Sequence, residues 1–334
     1  MTLLARNEAD IVDAQLSFHL HAGVDFVVAT DNGSDDGTLE ILERYQRAGY
    51  LHLLREVGDD MRQDEWVTRM ARMAAVEHGA DWVINSDADE FWWPRGGTLK
   101  DVLALVPDRY GVVRCCWRHF LPRTGADASF AERMTVRLCA PANPGDKSTI
   151  YHAHQKVVHR ADPAVEIERG NHNAIGRHMD PLRSWHPIEV LHFSLRSVEQ
   201  VRQKGRGGWS RTRASSAVDH KRRLMRAVRR GRAAEYLELY ACSDEELETG
   251  LADGTLAIDT KLRDALRTLR APDGSYRMPG ASALLGFAAP DVVDSAAFAA
   301  EVSVLAGIDG IVRAEQRVAA LESRLTALRR LPPR

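Results

Sequence analysis

The sequence predicts an α/β fold: a mixed, mainly parallel sheet flanked by helices, followed by a helical C-terminal region. Three observations predict it. Runs of β-branched and aromatic residues alternate with stretches of helical period over the first ~110 residues. The connections between them are short, which suits parallel strands joined by crossover helices. The strand-like runs also end in polar clusters, and ligands of such sheets bind beyond the carboxyl ends of the strands.

Residues 2–5 read as the tail of a first strand, so either this strand is short or the native start lies upstream. A polar cluster from Arg6 to Asp10 follows, then a helix. Residues 24–30 run Val-Asp-Phe-Val-Val-Ala-Thr without helical spacing, the mark of a buried strand. Leu39, Leu42 and Tyr45 set a helical period over residues 39–48, and residues 51–54 form a further short strand. Trp66, Met70, Met73 and Ala74 share one side of a long helix over residues 65–78. Strands are expected at 81–85 and 110–117, and residues 118–200 are irregular with short strand-like runs. Helical spacing returns over residues 233–269. Near the end, Ile311, Ala314, Val318, Leu321, Leu325 and Leu328 form an a/d heptad seam flanked by Glu315, Arg317, Glu322 and Arg324. An isolated helix of about 20 residues is marginal in water, so this seam must bury itself. Its charged flanks favour a homodimer through residues 311–328.

Composition narrows the function classes. The 334 residues carry 45 Lys+Arg against 47 Asp+Glu, with 28% charged and 44% hydrophobic residues, which excludes disordered, collagen-like and membrane-embedded chains. The near-neutral balance argues against a protein that coats nucleic acid. It hides a local excess, because residues 202–232 hold twelve Lys/Arg and one acid, Asp219. Only Trp209 interrupts that block with an aromatic ring, so nucleic acid is not the expected partner, although an anionic acceptor or a membrane surface would fit. The four cysteines form no CxxC pair, and adjacent Cys115 and Cys116 point to opposite faces of a strand, so a reducing compartment, the cytoplasm, is expected. Arg6, Glu8 and Asp10 interrupt any apolar signal core, and Pro290, Asp291, Asp294 and Glu301 prevent residues 281–307 from spanning a bilayer.

Three strand ends carry the chemistry. Residues 84–91, Ile-Asn-Ser-Asp-Ala-Asp-Glu-Phe, run from a strand into an acidic cluster in which Asp87 and Asp89 can converge on one hard divalent cation. A solvated acidic turn would read the same way, but here a buried strand leads in and Phe91-Trp92-Trp93 closes the cluster off. Residues 30–38 form a glycine-containing turn in which Asp36 or Thr38 can cap the next helix. Capping does not account for an acid as early as Asp31. The third end is the Arg6–Asp10 cluster.

Together these segments resemble glycosyltransferase family 2, whose members share the GT-A (Rossmann-like) fold. The likeness rests on "RNEADI" at 6–11, "GVDFVVATDNGSDDGT" at 23–38 and "DWVINSDADEFW" at 81–92. It extends more weakly to His192-Phe193-Ser194-Leu195-Arg196-Ser197 and Lys204, and stops after Arg206. The resemblance implies a catalytic domain over residues 1–206, a helical acceptor-side or lid region over 207–300, and a terminal coiled-coil-like helix over 301–334. It implies that Arg6, Glu8 and Asp31 hold the base and ribose of a nucleotide-sugar, UDP-linked by preference. Asp87 would lie near the ribose and the metal, Asp89 would bind Mn²⁺ or Mg²⁺, and His192 would be the other protein ligand or a phosphate contact. Lys204 and Arg206 would neutralise the diphosphate, whose developing charge needs a cation and basic side chains.

Inverting transfer needs a general base, and Glu166, Glu168, His172 and Glu90 are the candidates. His152, His154 and His159 have a spacing that admits a zinc site. Two function classes remain. One is a metal-dependent glycosyltransferase; the other is a non-catalytic domain of the same fold that engages a polyanion or partner through the basic block and terminal helix. Retention of Asp87, Asp89 and His192 favours the enzyme.

Overall fold

The computed structural model describes residues 1–56, 62–123, 128–140, 149–182, 186–206 and 219–280, with Val318, Leu321 and Glu322. The expected dimerisation helix and the apolar stretch at 281–307 therefore lie outside the described residues, apart from those last three. In chain order the elements are β1 (Thr2–Ala5), α1 (Val12–His21), β2 (Val27–Asp31), α2 (Thr38–Arg47), β3 (Leu51–Arg55), α3 (Gln63–Val76), β4 (Trp82–Asp87), β5 (Glu90–Pro94), α4 (Leu99–Ala104) and β6 (Val112–His119). Then come α5 (Phe130–Arg133), β7 (Val136–Leu138), β8 (Gln155–Arg160), β9 (Glu166–Ile167), β10 (Ala174–Ile175), β11 (Pro181–Leu182), β12 (Ile188–His192) and α6 (Val198–Arg206). The last are α7 (Asp219–Arg229), α8 (Ala233–Glu238), α9 (Asp244–Asp253), β13 (Leu256–Ile258) and α10 (Lys261–Leu269).

The main sheet runs β3-β2-β1-β4-β8-β6-β12-β5, with β11 added beside β6. Strands β3, β2, β1 and β4 are mutually parallel, β8 lies antiparallel to both β4 and β6, and β12 is parallel to β6 but antiparallel to β5. This is the mixed, mainly parallel sheet flanked by helices that the sequence predicts. Both faces are covered. In β2, Val27 and Ala29 belong to one apolar cluster and Val28 to another, as alternation across a strand requires.

Helix α1 is buried on nearly every side, and α3 buries Trp66, Met70 and Ala74 with Val67 and Ala71. The predicted Met73 is only partly buried, because the buried face centres one residue away from it. α10 returns to the main core, placing Leu262, Leu266 and Leu269 in the cluster that holds α1. Cys115 and Cys116 are both buried in β6, and all four cysteines are free thiols. Among the described residues no helix is long and apolar enough to cross a membrane.

Candidate active site

Register brings the polar strand ends level. Ala5 lies opposite Asp31 and Leu4 opposite Asp87, so the turns after β1, β2 and β4 open at one edge of the sheet. The first two turns are tied together. The amides of Asn7, Glu8 and Ala9 donate to Ser34 Oγ (3.0 Å), Thr38 Oγ1 (2.8 Å) and Asp36 Oδ2 (3.1 Å), and the Asp35 amide donates to Asn7 Oδ1 (2.9 Å). Asn7 (φ 56°) and Gly37 (φ 100°) both take left-handed backbone to make these approaches. Much of the "DNGSDDGT" segment thus holds the neighbouring loop. Asp36 also accepts from the Thr38 amide at 3.1 Å, while Gly37 stands at the helix cap. Asp31 is buried; its Oδ2 accepts from the Ser34 amide at 3.2 Å, and its Oδ1 has no partner among the described residues. A buried carboxylate oxygen without a donor is a place for a ligand hydroxyl.

The β4–β5 turn sends its three acids to different partners. Asp87 accepts from Lys156 Nζ at 2.6 Å, Asn171 Nδ2 at 3.3 Å and Gln63 Nε2 at 3.4 Å. Glu90 is 0% exposed, lies 3.0 Å from Lys156 Nζ, and accepts from the Trp117 indole N–H at 2.8 Å. Burial pushes its carboxyl up to about 8, Lys156 opposing the push while Asp87 and Asp89 add to it. Asp89 meets Lys204 Nζ at 2.8 Å, His192 Nε2 at 3.8 Å and Arg196 at 3.9 Å. Burial would raise Asp89, but Lys204, helped by Arg196, outweighs it and holds the carboxyl well below the usual range.

Arg196, fully buried, joins the first loop to the third. It pairs with Glu8, with Asp10 at 2.7 Å and more distantly with Asp89. Burial raises Glu8 to about 7 against the pull of Arg196 and Lys204. His192 is held by β12, opposite Glu90 on one side and His119 on the other. Its ring stacks on Trp117 (4.2 Å between centroids, 21°), and its Nδ1 lies 3.3 Å from His119 Nδ1. Burial keeps the ring neutral, well below its ordinary pKa, although Asp89 pulls the other way.

A divalent cation fits this donor set. His192 turns one nitrogen to His119 and the other, neutral and available, toward an ionised Asp89 oxygen, and one carboxylate with one imidazole suits Mn²⁺ or Mg²⁺ completed by phosphate and water oxygens. Asp87 is less free, its oxygens being taken by Lys156, Asn171 and Gln63. Among the described residues the one cluster of three metal-ligating side chains is elsewhere: His52, Glu77 and His78, at the end of α3 away from the acidic turn.

Arg6, Glu8, Asp31, Asp87, Asp89, His192 and Lys204 therefore gather at one edge, as their order in the sequence suggests. Arg206 ends α6, and its side chain lies outside the described residues. The candidate bases separate. Glu90 is enclosed and offers no surface to an acceptor, a correction that follows from its place between Lys156 and Trp117. His172 stacks on His154 at 3.4 Å, and burial lowers its pKa well below the ordinary value, which makes it a weak base. Glu166 is exposed and faces Arg72 on α3 at 3.9 Å. Glu168 is exposed on the β9–β10 turn, whose Asn171 touches Asp87. The zinc reading also fails. His154 packs against His172, but His159 is buried in β8 with its Nδ1 on the Arg160 carbonyl, since five residues along a strand place two side chains on opposite faces.

Three participants were not singled out in the sequence, Lys156, Trp117 and His119, and Asp10 stood in a strand-end cluster without a role of its own. Lys156 had a readable signal, a lysine inside the strand Gln-Lys-Val-Val-His, where an unpaired charge is not tolerated. Arg196 stood in a recognised segment without a role.

The profile of glycosyltransferase family 92 matches residues 4–212, a span that takes in all three strand-end motifs and Lys204, and the chain belongs to that family. The class is the one expected from the motifs; the family is 92, where the motifs suggested family 2. A glycosyltransferase family 92 protein of Oryza sativa subsp. japonica is 28% identical over 174 residues, which cover 46% of this chain and 29% of the rice protein. The chain thus spans under a third of the length of that relative. Among solved structures, S. aureus TarS in complex with UDP is 14% identical over 68% of this chain and 69% of its own, with a TM-score of 0.33. TarS in complex with UDP-GlcNAc is 12% identical over 68% and 70%, also at 0.33. These structural likenesses are too slight to bear on function.

Proposed function

We propose that this protein moves a sugar from a nucleotide-sugar, a UDP-sugar in the first instance, to an acceptor nucleophile, with inversion at the anomeric carbon and with Mn²⁺ or Mg²⁺ held by Asp89 and His192. The observation that carries the reading is the meeting of Asp89, His192 and Lys204 beside the Asp31 turn. Membership of family 92 supports the reaction class.

The bound cation would neutralise the diphosphate as it leaves. The chain's own residues do the rest. Arg6 and Asp31 hold the base and ribose, and the orphan Asp31 oxygen accepts from a donor hydroxyl. Glu8, committed to Arg196, keeps that guanidinium in place. Lys204 turns from Asp89 to the diphosphate and, with Arg206, stabilises its charge. Glu168 takes the acceptor proton as the new bond to the anomeric carbon forms and the bond to diphosphate breaks.

The test is a donor screen. UDP-, GDP- and TDP-sugars are each incubated with Mn²⁺, Mg²⁺ or EDTA, and release of the nucleoside diphosphate is followed. One nucleotide class should be turned over with metal and spared with EDTA. Release from none of them would favour the non-catalytic binding protein.

A further inference from the structure

Helix α7 carries a charge pattern that donor binding does not use. Arg222, Arg223, Arg226 and Arg229, with Arg230 just past its last turn, are all exposed, and at 100° per residue they fall within an arc of about 120°. The other side of the helix is apolar: Leu224, Ala227 and Val228 pack into the cluster formed with Leu195, Val201 and Tyr236. Arg223, Arg226, Arg229 and Arg230 pair with no carboxylate among the described residues. Like charges three and four residues apart repel, so these four arginines destabilise their own helix unless an anion covers them.

The buried side of the helix packs near the candidate site. In the first turn of α7 the His220 ring lies 5.8 Å from that of His152, whose carbonyl meets His119 Nε2 at 3.0 Å, and His119 contacts His192. On the neighbouring helix, a Cβ on Gly205 would stand 2.5 Å from Val228, so α6, the helix of Lys204, is packed tightly against α7. Helix α7 thus packs through its apolar side on α6, the helix of Lys204, and its arginines run about 12 Å along the opposite, exposed side.

We propose that this face is a binding track for an anionic polymer, and that the acceptor is of that class; the second clause rests on the glycosyl-transfer reading above. A membrane fits less well. The exposed side of α7 has no large apolar side chain to insert, and stable attachment to a bilayer takes an apolar anchor as well as basic charge. A linear polyanion needs only phosphates or carboxylates spaced along the helix.

Inorganic polyphosphate serves as the probe, with neutral dextran and phosphatidylglycerol vesicles as comparisons. Polyphosphate should bind the full chain, dextran should not, and affinity should fall steeply as salt rises. Replacing all five arginines by glutamine, which keeps helix propensity, should weaken polyphosphate binding about tenfold or more and leave metal-dependent donor hydrolysis unchanged. In the unaltered protein, polyphosphate should slow amide exchange across residues 219–230, a measurement that does not depend on the variant folding. Unchanged affinity in the variant, or no protection of α7, overturns the track. Binding to vesicles without binding to polyphosphate overturns it in favour of a membrane. Failure of donor hydrolysis in the unaltered protein removes the transfer reading and the acceptor clause, while the polyphosphate result still decides the track.

Discussion

Lys156 shows how closely charge is balanced at the acidic turn. It is 1% exposed and lies between Asp87 and Glu90, and burial alone would depress its pKa, yet the two acids hold it above the ordinary value. Lys156→Met takes the shared cation from Asp87 and Glu90, and we expect a loss of about 3–5 kcal/mol in denaturant unfolding above pH 8, where Glu90 is charged beside Lys156. Glu90→Gln in the same chain should restore much of it, because the pair then leaves together. Full additivity of the two losses would show that the residues do not act as a pair. This arrangement was only half legible. Asp87, Asp89 and Glu90 stand together in the sequence, but their partners come from β8 and α6, and a distant strand's register is set by sheet pairing and not by local pattern.

The same division holds for whole elements. β2 and β4 announce themselves by short apolar runs, Val27–Ala29 and Trp82–Ile84, because helices cover both faces of the sheet. β8 and β12 are harder to see. Each lies in mixed polar sequence, and their order in the sheet depends on long-range pairing, so residues 118–200 read as irregular although β6's neighbours on either side arise there. His192 was identified by its local motif, whereas its stacking on Trp117 follows only from the pairing of β12 with β6. The heptad seam remains an expectation. Val318 and Leu321, both at a/d positions, are helical and 53% and 56% exposed, which is where a second copy would cover them. Light scattering should therefore give the dimer mass for the full chain and the monomer mass for a truncation ending near Gly310. Monomer mass for both would contradict pairing.

Across the whole molecule, buried neutral histidines link the fold to pH. His19 accepts from the Trp92 amide at 3.0 Å and meets the Gln15 carbonyl at 2.7 Å, and burial lowers its pKa to about 3. His159, buried in β8, is lowered to about 4 for the same reason. The folded state keeps both rings neutral, while the unfolded chain takes up a proton on each below its ordinary value of 6.5. Their contribution is complete above pH 6.5 and is lost as pH falls toward 4 and then 3, at about 1.4 kcal/mol per pH unit for each ring. Unfolding free energy measured in urea should accordingly fall between pH 6 and 5, and less steeply in His159→Gln. A slope unchanged by that substitution would show that the ring titrates alike in both states.

The central claim is that Asp89 serves a metal-assisted transfer and not the core, and metal-dependent release of nucleoside diphosphate from the preferred nucleotide-sugar tests it most directly. Asp89 pairs with Lys204 and Arg196, so Asp89→Ala should lower the unfolding temperature yet leave the chain folded, while removing a cation ligand worth several kcal/mol of transition-state stabilisation. The account predicts release below about a tenth of the unaltered rate at saturating Mn²⁺. Release above that level, or release by the unaltered protein that EDTA does not diminish, would contradict it.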